Sequence, residues 1–212
     1  MKLKSQYPLK HNKLFYIPLG ILDIYNCFKK GVSPEASDLL FFGRISSYKG
    51  IIYLLKALKL LSRKNLFPKC IIAGEGYFTE EECRLLEDKF LNVTLINKYI
   101  TNDLLAELLR NTRVVICPYI DATQSAVVMT SYAFNKPVIA TRVGNFTEVI
   151  VDGITGRLID PADHVGLASA IEDILVNKCL PDTCEYSKMP DLNNFQWHEI
   201  ALQTQEVYKK IN

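Results

Sequence analysis

Short, densely apolar runs alternate along this chain with longer segments whose apolar residues recur at helical spacing. The runs at 38–42 (DLLFF), 70–73 (CIIA), 93–96 (VTLI), 114–117 (VVIC), 137–141 (PVIAT) and 157–159 (RLI) read as strands, the first with the pattern of a buried one. Between the first two, residues 51–64 place Ile51, Leu54, Leu55, Leu58 and Leu61 on one helical stripe. Further helices are predicted over 79–90, 101–110, 127–134, 163–176 and 196–211. Two of their starts carry caps: Thr79 with Glu82 makes a capping-box pattern, and Thr101 is followed by Asp103 in the first turn. Strands alternating with helices in this rhythm predict an α/β layered fold with a mostly parallel sheet and right-handed crossovers. The polar stretch after each strand then falls at the carboxyl ends of the sheet, where such folds bind ligands.

Residues 1–37 break the rhythm. One apolar run at 14–17 is followed by Pro18-Leu19-Gly20, and Gly31 and Ser33-Pro34 interrupt the rest. This part is expected to be a connecting segment ahead of one domain at 38–212, which includes a closing helix at 196–211. With 212 residues, 49% of them apolar, there is enough material for one large core and no compositional sign of disorder. The net charge of +2 and the lack of a basic stripe interleaved with aromatics argue against a nucleic-acid partner. Six scattered cysteines show no C-x-x-C pair and no spacing shared with the three histidines, so neither a disulfide framework nor a metal site is expected. No signal peptide opens the chain and no apolar stretch is long enough to span a bilayer, which points to a cytoplasmic location.

Four stretches after strands could carry chemistry. Gly43-Arg44 with Lys49-Gly50 places two cations around a helix N-terminus: Arg44 can grip a phosphate with two parallel hydrogen bonds, and Lys49 can act as a mobile point charge. Gly74-Glu75-Gly76 resembles a fragment of a dinucleotide fingerprint, or is a tight turn serving packing only. Thr123-Gln124-Ser125-Ala126 puts hydroxyls, an amide and a small residue before a helix, suited to capping it or to binding a polar ligand. Residues 144–156, with Glu148, Asp152-Gly153 and Thr155-Gly156, are mostly explained by turn chemistry. No Ser-His-Asp or Cys-His constellation is legible, and the catalytic residues stay unassigned.

Taken in order, FFGRISSYKG, IIAGEG, INKYITNDLLAELL and the long run from CPYIDATQSAVV to GRLIDPAD resemble the carboxyl-terminal domain of family 4 retaining glycosyltransferases, and FQWHEIALQTQEVYKKI resembles that family's closing helix. The resemblance implies a Rossmann-like domain with helices on both faces of the sheet, one half of a GT-B fold, that binds a UDP- or GDP-sugar donor and needs no separate cofactor. It implies further that Arg44 and Lys49 bind the diphosphate, that the backbone around Tyr99 and Ile100 reads the base, and that Ser125, Ala126 and Val127 offer amides to the donor. In two places the chain departs from the family pattern. The two glutamates that family members commonly carry, one near the sugar and one on the ribose, are replaced here by Ala122 and Thr130. Thr130 retains one hydroxyl for the ribose, and Asp121 stands next to the first lost position. There is also no room ahead of residue 38 for the family's amino-terminal acceptor domain, so the chain is expected to be the donor-binding half, inactive alone, of an enzyme that moves a sugar to a glycan or lipid-linked acceptor in polysaccharide biosynthesis. The full enzyme could associate peripherally with a membrane. The final helix would pack on the missing half, leaving Trp197, Ile200, Val207 and Tyr208 exposed without it. A non-catalytic nucleotide-sugar-binding module or subunit, dependent on a separate acceptor-domain partner, is the alternative.

Overall fold

The structure is a computed structural model and describes residues 15–28, 35–123, 125–180 and 194–211. It divides into two compact units, one of residues 22–186 and one formed by 1–21 together with 187–212. In the larger unit, six strands form one parallel sheet: β1 (Ser37–Phe42), β2 (Cys70–Ala73), β3 (Val93–Ile96), β4 (Thr112–Cys117), β5 (Val138–Thr141) and β6 (Gly156–Ile159), in the order β3-β2-β1-β4-β5-β6. The fold is a Rossmann-like α/β sheet. The order reverses between β1 and β4, whose pairing brings Leu39 beside Val114 and Leu40 beside Val115. A crevice for ligands opens at such a reversal, outside the strand ends.

Burial explains why the strand runs lack alternation. β2 and β5 are buried along their whole length, and β1 and β4 are buried at all but one position each, whereas edge strand β3 has no fully buried position. The helices are α1 (Ile51–Arg63), α2 (Glu80–Leu86), α3 (Asn102–Arg110), α4 (Ala126–Ala133), α5 (Phe146–Val149) and α6 (His164–Leu175). The stripe of α1 is buried as its spacing requires, and α1 packs against α2 and α6. Thr79 and Glu82 form the full capping box of α2, and Thr101 accepts from the Leu104 amide to start α3.

Three local differences from the sequence reading have clear causes. The helix expected over 79–90 stops at Leu86, and Asp88 then turns the chain by accepting the Phe90 amide through its side chain at 3.0 Å. Inside the stretch assigned to turns, Phe146 and Val149 are buried and wind one short helix, α5, too brief to show periodicity. Part of the expected connecting segment is also tied into the larger unit: a 3₁₀ turn at Asp23–Cys27 follows Leu22, whose amide donates to Met129 O, and Asn26 Nδ2 donates to Ala133 O at 2.9 Å. Residues 1–14 and 29–34 of that segment lie outside the described residues.

In the smaller unit, α7 (Trp197–Ile211) is anchored by the Trp197 indole N–H, which donates to Ile21 O at 2.7 Å, and the Ile21 amide donates to Phe195 O. Gly20 lets this ring lie against the backbone, since a Cβ there would meet the indole at 2.8 Å. Ile200 is therefore buried, contrary to the expectation that it would be exposed, and Val207 is half-buried; Trp197, Leu202 and Tyr208 face solvent. Among the described residues no helix is long and apolar enough to cross a membrane.

Candidate functional site

The loops that follow β1 and β4 meet at the reversal point of the sheet. After β1, Gly43 turns the chain with φ +110°, a 3₁₀ turn spans Ser47–Lys49, and Gly50 in the left-handed region starts α1. A Cβ on Gly50 would sit 2.0 Å from Pro118 O, so glycine allows the two loops to touch. They are joined there by the Ile120 amide, which donates to Tyr48 O at 2.7 Å. From the next strand, Thr141 Oγ1 donates to Tyr119 O at 2.6 Å, and the Asn145 amide donates to Thr123 O. Gly144 makes the latter approach possible, because a Cβ there would strike Ala122 O at 2.4 Å.

Lys49 occupies the centre of this arrangement. It is 8% exposed, its Nζ donates to the Tyr119 hydroxyl at 2.9 Å and lies 4.8 Å from the centre of that ring, with the Phe41 ring 6.0 Å away. Among the described residues no carboxylate forms an ion pair with it. Burial holds its pKa below the usual lysine range; the Cys117 thiol acts the other way and the Arg44 charge lowers it further. Lys49 is therefore a fixed, partly desolvated cation and not the mobile charge expected from the sequence. Tyr119 is itself buried, with its pKa raised by burial.

Two adjoining clefts open from this point. The first, about 430 Å³, is lined by Lys49, Thr123, Ser125, Ala126 and Val127 together with Asp121 and the two tyrosines Tyr48 and Tyr119. The second, about 590 Å³, is lined by Gly43, Arg44, Gly74, Gly76, Tyr99 and Ile100, with Glu75 and Tyr77 beside them. Their linings approach each other at Lys49 and Gly43, where a Cβ on Gly43 would come within 2.8 Å of Lys49 Nζ. The floor of the second cleft is equally tight. A Cβ on Gly74 would meet Gly43 O at 1.9 Å, and Asn97 clamps Gly76 by accepting its amide and donating to its carbonyl, both at 3.2 Å. The glycines of the G-E-G turn thus serve backbone packing as well as lining the cleft.

Of the donor-site residues named from the sequence, every described one but Thr130 lines these clefts, and Val127 does so without offering its amide. Thr130 is 3% exposed, lines neither cleft, and donates its hydroxyl back to Ala126 O at 2.8 Å within α4. It does not present the hydroxyl to a ribose as expected. The Val127 amide is taken by Ser125 Oγ at 3.2 Å, so it caps α4 and is not bare. Gln124 lies outside the described residues. Conversely, Tyr119, Gly144 and Asn145 were missed. Tyr119 lies in the loop after Pro118, past the apolar run at 114–117, where nothing local marks it for a role; Gly144 and Asn145 fall in a stretch that turn chemistry explains. The Oδ1 of Asn145 is buried and has no hydrogen-bond partner among the described residues.

With this geometry in place, comparison with known proteins identifies the class. Residues 36–177 match the family model described as Glycosyl transferases group 1, and the chain belongs to that family. It is 28% identical over 192 residues to the alpha-maltose-1-phosphate synthase of Mycobacterium tuberculosis, covering 85% of this chain and 50% of that protein. Among solved structures it superimposes on a glycosyltransferase from Rickettsia africae with a TM-score of 0.75 at 21% identity, over 99% of this chain and 60% of that one. It also superimposes on Anabaena HepE in complex with UDP and glucose, with a TM-score of 0.58 at 19% identity, over 84% of this chain and 48% of that one. The chain spans about half the length of the curated relatives it matches.

Proposed function

We infer that this chain is the carboxyl-terminal, donor-binding half of a family 4 retaining glycosyltransferase with a GT-B architecture. The observation that carries this reading is Lys49: a buried cation with no carboxylate partner among the described residues, set where two clefts at the strand ends approach each other. A buried charge without a counter-charge is costly unless a ligand supplies one, and a diphosphate between Lys49 and Arg44 does so. The base of a UDP- or GDP-sugar then extends toward Tyr99 and Ile100, and the sugar lies beside residues 121–126 in the first cleft. HepE, a fold neighbour, is described in complex with UDP and glucose, which supports a nucleotide-sugar donor.

In this reading Lys49 and Arg44 stabilise the negative charge that grows on the leaving diphosphate, and they do so from fixed positions. The acceptor, a glycan or lipid-linked sugar of polysaccharide assembly, comes from a separate amino-terminal domain on the cytoplasmic side, with peripheral membrane association of the whole enzyme. The donor is the substrate and no resident cofactor takes part. Calorimetry with UDP and GDP on the wild type and on Arg44→Ala tests the reading. It expects one of the two nucleotides to bind and the variant to bind it more weakly; no binding of either, or equal binding by the variant, counts against it.

A second reading, a non-catalytic nucleotide-sugar-binding module, is favoured by one specific feature. Ala122 stands at one lost glutamate position, and at the other Thr130 is turned into its own helix. Donor hydrolysis by the isolated chain, above the rate of a Lys49→Ala control, rules the module out.

A further inference from the structure

The reading above assigns the diphosphate to Lys49 and Arg44 but leaves open what holds a buried ammonium aimed at the junction of two clefts. Lysine carries a flexible four-carbon stem and a strongly hydrated head, so it does not remain inside a fold without partners. Here its partner comes from the loop after β4. The Tyr119 hydroxyl accepts from Lys49 Nζ at 2.9 Å, and the same ring lies under the ammonium at 4.8 Å. Tyr119 is in turn fixed on several sides. Its carbonyl accepts from Thr141 Oγ1 at 2.6 Å, the Tyr48 ring meets it edge-on at 6.3 Å, and the Phe146 ring packs beside it at 5.4 Å.

We propose that Tyr119 is the positioning residue of this site: its hydroxyl holds the Lys49 ammonium at the junction of the clefts, so that the cation is placed before a diphosphate arrives. The role rests on the donor-binding reading for its purpose, though the hold on Lys49 is a property of the free protein. Tyrosine suits the task because a phenol accepts a hydrogen bond without adding a negative charge that would compete with the ligand. An aspartate or glutamate there would hold the lysine more strongly and neutralise the site.

The variant Tyr119→Phe keeps the ring and its packing and removes only the hydroxyl. Two measurements follow. In the ligand-free protein, the rate at which acetic anhydride modifies Lys49, read by mass spectrometry against exposed Lys98, is expected to rise several-fold in the variant, because the freed ammonium turns to solvent. In calorimetry with inorganic pyrophosphate and with UDP and GDP, the variant is expected to bind about tenfold more weakly, as suits one lost hydrogen bond to a charged group. Adding Tyr119→Phe to Lys49→Ala is expected to cost nothing further, which a merely structural role of the hydroxyl would not reproduce. Unchanged acetylation of Lys49, or an equal loss in the Lys49→Ala background, overturns the proposal. If the wild type binds neither pyrophosphate nor either nucleotide, the donor reading falls, while the acetylation rates still decide whether Tyr119 holds Lys49.

Discussion

Two groups at the heart of the first cleft, Lys49 and Tyr119, are held inside the fold, whereas the second cleft is bordered by rings that stand in solvent. Lys49 and Tyr119 are almost wholly buried and bonded to each other, but Tyr77 is 93% exposed and Tyr99 73% exposed. The two cations divide the same way, Lys49 inside and Arg44 at the surface. The contrast reflects the chemistry each cleft suits. A charge stabilises a ligand most when it is fixed and partly dehydrated in advance, since no reorganisation is then needed. A flat apolar ring surface can be ordered by the ligand itself, at a modest entropic cost.

The largest effect is expected where the first cleft is stapled. Gly50→Ala forces a Cβ to within 2.0 Å of Pro118 O at φ +67°, and is expected to destabilise the fold by about 2–4 kcal/mol. Gly153→Ala is the control: it also has positive φ, +80°, but nothing lies within 4 Å, so only the left-handed strain of about 1–2 kcal/mol applies. Equal melting temperatures for the two variants would mean that the loops after β1 and β4 are not in contact.

Next in size is the split between the cations. Lys49→Ala is expected to weaken UDP or GDP binding by about 30–100-fold, and the exposed Arg44→Ala by less, about 3–10-fold. The reverse order in calorimetry would break the comparison. Because burial lowers the pKa of Lys49, binding is expected to weaken as pH rises through that lowered range, below where an exposed lysine titrates. Arg44→Ala retains this pH dependence and Lys49→Ala loses it.

The same burial has a cost in the free protein. With its folded-state pKa lowered, the Lys49 ammonium opposes folding at neutral pH, and that penalty is relieved as pH rises through the folded value toward the ordinary one. Lys49→Met is therefore expected to stabilise the ligand-free protein by about 1 kcal/mol while weakening diphosphate binding as much as Lys49→Ala does. A lowered melting temperature would show that the ammonium is already compensated in the fold. Smallest of all, Tyr77→Ala and Tyr99→Ala are expected to change stability by less than about 0.5 kcal/mol, since both rings are exposed. They leave pyrophosphate affinity unchanged and weaken nucleotide affinity by about fivefold, the scale of a lost base stack. A parallel loss for pyrophosphate would place the phosphates, not the base, in the open cleft.

What residue spacing determines by itself is local. The buried strands, the stripe of α1, the capping box at Thr79 and Glu82 and the cap at Thr101 are all encoded within a few residues of where they act, and each appears in the structure. The placement of polar loops at the strand ends follows from the same alternation, which is why Lys49, Arg44, Gly74 and Ser125 were legible as a set. Tertiary structure alone decided how that set divides. Lys49 and Tyr119 are far apart in the chain and meet only because β1 lies beside β4 in the sheet order. Burial of the Lys49 stem, the inward turn of Thr130 and the support of Ala122 and Thr123 by Gly144 and Asn145 likewise depend on neighbours brought in from other strands or on how α4 packs. Propensity acts along the chain, whereas desolvation and hydrogen-bond partners are set across the sheet, and the character of this site is of the second kind.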